Sequence, residues 1–282
     1  MSDSDSPELI LHVNHWSLLH EADPHLEEGL LKHLTIIRDA GFDAYCAPVD
    51  LPNLRARLDE FGLRFGGAFD AQSEKQFAER IAACLEIGNG PINCQLGDHD
   101  TPVERAVELT IALMEESEKQ GAEVHLEVHR DTCTETPEKA AAIIEGVKAA
   151  TGKTPRVNFD YSHPAIVKHL NPANYIERLF EDVETFQQST LWHIRPFNGH
   201  HCQIPITDGK GGHSPEYKDC RPFIRQALTH WLNGPRRGNA FWVMPEQGTM
   251  GYHLSCHPPV ARDMITLGKD VQQIWAELTK RA

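Results

Sequence analysis

The 282-residue chain is long enough for one large core, and an α/β barrel uses about 250 residues as a single domain. Its 41 acidic against 27 basic side chains give a formal charge of −14, which counts against a nucleic-acid partner, because phosphate contacts need a basic footprint. No run of about eighteen apolar residues occurs, so neither a transmembrane helix nor a membrane partner is expected.

The chain begins "MSDSDSPE", polar and acidic, so residues 1–7 are expected to form a flexible N-terminus rather than a secretory signal. Seven scattered cysteines with no CxxC pair suit a reducing compartment and point to the cytoplasm. Short strand-like runs then alternate with longer helical patterns. The runs are "LILHVN" (9–14), "FDAYCAP" (42–48), "LRFGGAF" (63–69), "INCQLG" (92–97), "EVHLEVH" (123–129), "RVNFDY" (156–161), "LWHIRPF" (191–197) and "AFWVMPE" (240–246). Between the fourth and fifth, Thr101 to Glu104 has the form of a capping box with Pro102 at the first helical position. Val103, Ala106, Val107, Thr110, Ile111 and Met114 follow at helical spacing, and Gly121 is the stop. Ser73 with Gln76, Thr136 with Pro137, and Asn171 with Pro172 repeat the start signal. A helix around 216–233 precedes the last strand. The final helix spans 260–279, with Met264, Ile265, Val271, Ile274 and Trp275 as its apolar stripe.

Strict strand–helix alternation implies right-handed crossovers and a parallel sheet. Eight such units fit a (β/α)8 TIM barrel, one domain over 1–282. An open doubly wound sheet would show a glycine-rich phosphate turn after an early strand, and none is present. "GKGG" at 209–212 lacks the earlier Gly and the following Ser or Thr of a phosphate loop. It lies in the longest irregular stretch, 198–216, where Gly199, Gly209, Gly211 and Gly212 suit an active-site lid. Trp192, Trp231 and Trp242 read as core or wall residues.

Side chains alternate along a strand with a period of two, so in "HLEVHRDT" Glu127 and His129 share one face while Leu126 and Val128 take the other. Active sites of such barrels lie at the C-terminal strand ends. Strands five to eight end in Glu127 and His129, in Asp160 and His163, in His193 and Arg195, and in Glu246. Three carboxylates converging on one mouth would repel one another and protonate unless a cation neutralised them. Glu127, Asp160, His193 and Glu246 therefore read as ligands of one divalent metal. This mostly oxygen set suits Mn²⁺ first, then Mg²⁺, Co²⁺ or Zn²⁺.

In order and spacing, these landmarks resemble the sugar phosphate isomerase/epimerase family, the xylose isomerase-like TIM barrels. The likeness rests on Glu127 ending strand five, "DYSH" with Asp160 and His163 ending strand six, His193 on strand seven, and Glu246 in "MPEQG" ending strand eight. It implies that these positions hold one metal and that Glu127 and Glu246 exchange a carbon-bound proton. It also implies that His163 touches substrate. The chain departs from the pattern after His193: many members carry an Arg six residues on, where Gly199 stands here, and Arg195 lies only two away.

The chemistry implied is proton abstraction beside a carbonyl, giving a metal-dependent isomerase or epimerase of a sugar, polyhydroxy ketone or acid through an enediolate. Loss of a β-substituent would make it a dehydratase or lyase on a keto-sugar, keto-cyclitol or keto-glycoside. A nuclease like the abasic-site endonucleases would need further metal ligands and a basic face, and the acidic balance weighs against it. Substrate contacts are expected from His129, Arg130, Gln95, His200 and His201, with Arg195 pairing a carboxylate or holding an anionic group. A small carbohydrate is the expected partner, and a homo-oligomer is left open.

Overall fold

The computed structural model describes residues 7–280, so the N-terminal stretch read as flexible falls outside the described residues apart from Pro7. The strands are β1 (Glu8–Asn14), β2 (Ala44–Cys46), β3 (Arg64–Ala71), β4 (Ile92–Leu96), β5 (Val124–Val128), β6 (Val157–Phe159), β7 (Leu191–Ile194) and β8 (Ala240–Pro245). Every strand pair is parallel, and the hydrogen-bonded run is β6-β5-β4-β3-β2-β1-β8-β7. The first and last strands of the run meet through side chains. Asn158 Oδ1 on β6 accepts the His193 amide of β7 at 2.9 Å, and the Thr190 hydroxyl lies 3.0 Å from His125 Nε2. Eight parallel strands thus form a nearly closed (β/α)8 barrel.

The helices are α1 (Glu27–Ala40), α2 (Leu54–Phe61), α3 (Phe77–Ile87), α4 (Val103–Gln120), α5 (Pro137–Thr151), α6 (Ser162–Val167), α7 (Tyr175–Leu179), α8 (Val183–Gln187), α9 (Pro215–Asn233) and α10 (Val260–Thr279). None among the described residues is long and apolar enough to cross a membrane. Gly121 ends α4 in the left-handed conformation that glycine adopts without strain, and the Thr136 side chain caps α5 by accepting the Lys139 amide. The Ser73–Gln76 and Asn171–Asn174 boxes close as well, each on a short 3₁₀ turn ahead of a helix. Thr101 does not cap α4. Its hydroxyl donates to Asp98 Oδ1 at 2.9 Å and accepts the Asp98 amide at 3.0 Å, so a nearer donor takes the oxygen that a cap would have offered the helix amides. Between β6 and β7 the chain makes three short helices, because Pro172 lacks the N–H that a continuous helix would need.

The outward strand faces pack on the helices. Phe241 of β8 stacks on Trp231 of α9 at 4.3 Å and 11°, and Trp192 of β7 is buried beside them. Such aromatic pairs contribute about 0.5–1.5 kcal/mol beyond area burial. Inside the barrel, Ile10, Ala44, Leu191 and Trp242 form an apolar plug toward the N-terminal end. The Trp242 ring needs Gly90 beneath it, where an added Cβ would sit 2.8 Å from the indole. Above the plug the interior is polar: His12, Asn93, Asn158, Glu127 and His193 are all buried.

The 198–216 stretch is divided. Gln203, Ile204, Ile206 and Thr207 are buried, and Asp263 on α10 accepts the amides of Ile206 (2.7 Å) and Thr207 (3.1 Å) and the Thr207 hydroxyl (2.7 Å). Residues 208–212 form an exposed turn between the bridged Thr207 and His213. On either side, Asn198 Oδ1 accepts the His200 and His201 amides and Asp208 Oδ1 those of Lys210 and Gly212, so the flanking turns are closed by their own side chains.

Candidate active site

Strand parity sends Gln95, Glu127, Asp160, His193, Arg195 and Glu246 into the barrel toward its C-terminal mouth. Glu127 is the most heavily bonded of them. Its Oε2 accepts Asn93 Nδ2 at 2.6 Å and Gln95 Nε2 at 2.9 Å, while Oε1 lies 2.9 Å from His193 Nδ1. Asn93 is itself held by Asn158, whose Nδ2 donates to Asn93 Oδ1 at 2.9 Å. One chain of side chains therefore runs from the barrel seam to the carboxylate. Burial works against ionised Glu127, but the His193 imidazole and these donors win and bring its pKa down to about 2. The same contact acts on His193: burial lowers its pKa, yet Glu127 and Glu246 together raise it above the ordinary histidine value.

Glu127, His193 and Glu246 each offer one ligand atom within 4.8 Å of the others, and all three residues are buried. Glu246 Oε2 and His193 Nε2 have no hydrogen-bond partner. Buried polar atoms are rarely left unmatched, at about 1–3 kcal/mol each, so two orphaned lone pairs beside a second carboxylate fit a divalent cation. Asp160 stands outside this trio. Its Oδ1 accepts the Ser162 amide at 3.0 Å, and its Oδ2 lies 3.3 Å from His163 Nε2 and 3.6 Å from Arg195 Nη2. Burial opposes the Asp160 charge, but Arg195 and His163 hold its pKa well below the usual carboxylate range.

Arg195 is 2% exposed and donates from Nη2 to Glu246 Oε1 at 2.6 Å. Removing one partner of such a buried pair typically costs about 3–5 kcal/mol, because the other charge is stranded. Its guanidinium carbon lies 4.3 Å from the ring centre of Tyr252, and that of Arg130 lies 4.6 Å from the same ring. His129 stacks against His163 at 4.0 Å and points Nδ1 at the Arg130 carbonyl. His200 and His201 stand on the exposed loop, where Asn198 Oδ1 accepts both amides and His200 packs on His169. Their contacts are with these neighbours rather than with the carboxylates.

Sequence reading overlooked Asn93, Asp70 and Tyr252. Asn93 shares the inward face of β4 with Gln95, so strand alternation carried the signal. Asp70, at the end of β3, carries the same parity; burial and the nearby Glu127 raise its pKa. Tyr252 sits in the irregular stretch after β8, where no periodicity exists to flag it.

The fold and this mouth define a (β/α)8 barrel with a buried carboxylate–imidazole cluster. No family model and no curated protein matches the sequence. Among solved structures, the chain is similar to an L-ribulose 3-epimerase, with TM-score 0.66, 13% identity and 96% of each chain covered. It is also similar to a D-tagatose 3-epimerase-like protein, with TM-score 0.61, 16% identity and 96% of this chain against 99% of that one. A xylose isomerase-like TIM barrel protein from Mycobacterium smegmatis, in complex with magnesium, gives TM-score 0.53 at 16% identity, covering 99% and 100%. At these identities the likeness is one of fold.

Proposed function

We propose that the protein is a divalent-metal-dependent isomerase or epimerase of a polyhydroxy ketone, working by proton removal beside the carbonyl. The observation that carries this reading is the Glu127–His193–Glu246 cluster with its unmatched oxygen and nitrogen, at the mouth of a barrel whose similar structures are named as sugar epimerases. A bound Mn²⁺ or Mg²⁺ would polarise the substrate carbonyl and stabilise the negative charge that develops on its oxygen. Glu127, His193 and Glu246 would hold the ion.

The two glutamates differ in their readiness to take a proton. Both oxygens of Glu127 are occupied by donors, and its low pKa makes it a weak base. Glu246 makes only one hydrogen bond, from Arg195 to Oε1, and Oε2 lies 3.5 Å from His193 Nδ1; with Oε2 toward the ion, Oε1 would remove the carbon-bound proton. Glu246 would hand the proton back to the neighbouring carbon for isomerisation, and for epimerisation a solvent proton relayed through Glu127 would enter on the opposite face after one of its bonds is released. His163, buried with Nδ1 unmatched and Nε2 3.3 Å from Asp160 Oδ2, would meet a substrate hydroxyl.

The test is solvent exchange in D₂O with metal-loaded protein and a panel of ketoses and sugar acids. Deuterium on an isomeric product supports the reading. Loss of water or alcohol would instead show the lyase outcome. Glu246→Gln should lower exchange about 10²–10⁴-fold, the usual worth of a general base; exchange at the wild-type rate would remove Glu246 from that role.

A further inference from the structure

Arg195 is buried yet incompletely matched. Nη2 serves Glu246 and approaches Asp160, while Nε and Nη1 are buried with no hydrogen-bond partner. A guanidinium carries five N–H donors and no way to shed its charge. Leaving two of its nitrogens dry and unpaired is costly, and the cost is removed if a ligand supplies acceptors. What covers this guanidinium is Tyr252, whose ring centre lies 4.3 Å from its carbon and whose hydroxyl also interacts with it. The same ring is shared by the exposed Arg130, whose Nη1 makes only a long contact, 3.5 Å, to Cys202 Sγ. Two arginines thus bracket one aromatic side chain at the mouth of a protein whose formal charge is −14. Arg195 has the Glu246 and Asp160 carboxylates beside it, whereas Arg130 makes no ion pair among the described residues.

We infer that the substrate carries an anionic oxygen group, a carboxylate or a phosphate, which takes the place of the Tyr252 ring between Arg130 and Arg195. Arg195 would supply one of its free donors, Nε or Nη1, and Arg130 the outer contact. Placing the anion on this side keeps it away from Glu127 and Glu246, with Arg195 between them. Making room for the anion requires the loop that carries Tyr252 to shift. It is pinned at its start, where Gln203 bonds the Gly248 amide and carbonyl and Ser17 bonds the Gln247 carbonyl. Gly251, beside the tyrosine, adopts φ +73°, a conformation that favours glycine. The inference rests on the proposed proton chemistry for turnover but not for binding, and this separates their tests.

Binding is read first, by calorimetry with compounds that have no ketone to react: an aldonate, an alditol and an alditol phosphate. The aldonate or the alditol phosphate should bind at least tenfold more tightly than the alditol, and the stronger of the two identifies the anion. Arg130→Gln should remove that advantage and leave alditol binding unchanged, whereas Arg130→Lys should keep part of it. Thermal melts confirm that both variants fold. Equal binding of all three compounds, or equal losses for charged and neutral ones in Arg130→Gln, overturns the inference. Arg130-dependent anion binding without deuterium exchange in any ketose or keto-acid would uphold it and overturn the catalytic reading instead.

Discussion

Asp263 shows how the loop after β7 is fixed, and its removal has a calculable consequence. The residue sits in the first turn of α10, 2% exposed, and accepts two amides and one hydroxyl from Ile206 and Thr207. A hydrogen bond to a charged group is worth about 1.5–3 kcal/mol. Three of them do not add fully, since water can enter the space an alanine leaves, so Asp263→Ala should cost roughly 3–5 kcal/mol. Unfolding entropy near 2.1 cal/mol/K per residue, over this chain, is about 0.6 kcal/mol/K. The expected fall in Tm is therefore roughly 5–8 °C. Asp263→Asn, which keeps one acceptor oxygen without the charge, should lose about half of that. Hydrogen exchange supplies the local readout: the amides of Ile206 and Thr207 should lose protection in Asp263→Ala while those of β5 and β8 keep theirs. A melting point within about 1 °C of wild type, with both amides still protected, would refute the claim that this carboxylate anchors the loop.

Asp160→Asn should retain close to one Mn²⁺ per chain in an electron paramagnetic resonance titration, because its oxygens face Ser162, His163 and Arg195 rather than the three-donor cluster. Loss of the ion would make Asp160 the fourth ligand. His33 concerns stability against pH. It lies between the Tyr45 hydroxyl at 2.8 Å and the Ala22 carbonyl at 3.0 Å, and burial lowers its pKa below 6.5 despite that carbonyl. The unfolded chain then takes up a proton that the folded one refuses. The His33 contribution is complete above pH 6.5 and is lost as pH falls toward the folded-state value. Thermal melts between pH 7.5 and 5 should fall less steeply for His33→Gln than for wild type, and parallel curves would exclude His33 as a source of the slope.

Much of the molecule is written locally in the chain. Strand parity alone sends Glu127, His193, Arg195 and Glu246 inward, because successive side chains on a pleated strand point to opposite faces and one face must meet the barrel interior. The glycine at 121 and the threonine at 136 mark real helix ends, since a left-handed residue and a side-chain cap are properties of a few neighbouring atoms. Thr101 marks where that locality fails: the Asp98 amide, three residues away, takes the hydroxyl oxygen that a cap would offer the helix. What the tertiary structure decided is which inward groups touch. Asp160 Oδ2 lies nearest His163 and Arg195 and makes no hydrogen bond, the ligand atoms of Glu127, His193 and Glu246 converge within 4.8 Å, and Glu127 is held by Asn93 and Gln95 from a neighbouring strand. Those partnerships depend on strand register, on tilt around the barrel and on the Asn158 seam. A shift of an ångström or two exchanges one partner for another without altering the pattern of residues along the chain. Tyr252 reaches Arg130 and Arg195 from an aperiodic loop, and only the closure of the barrel brings the three together.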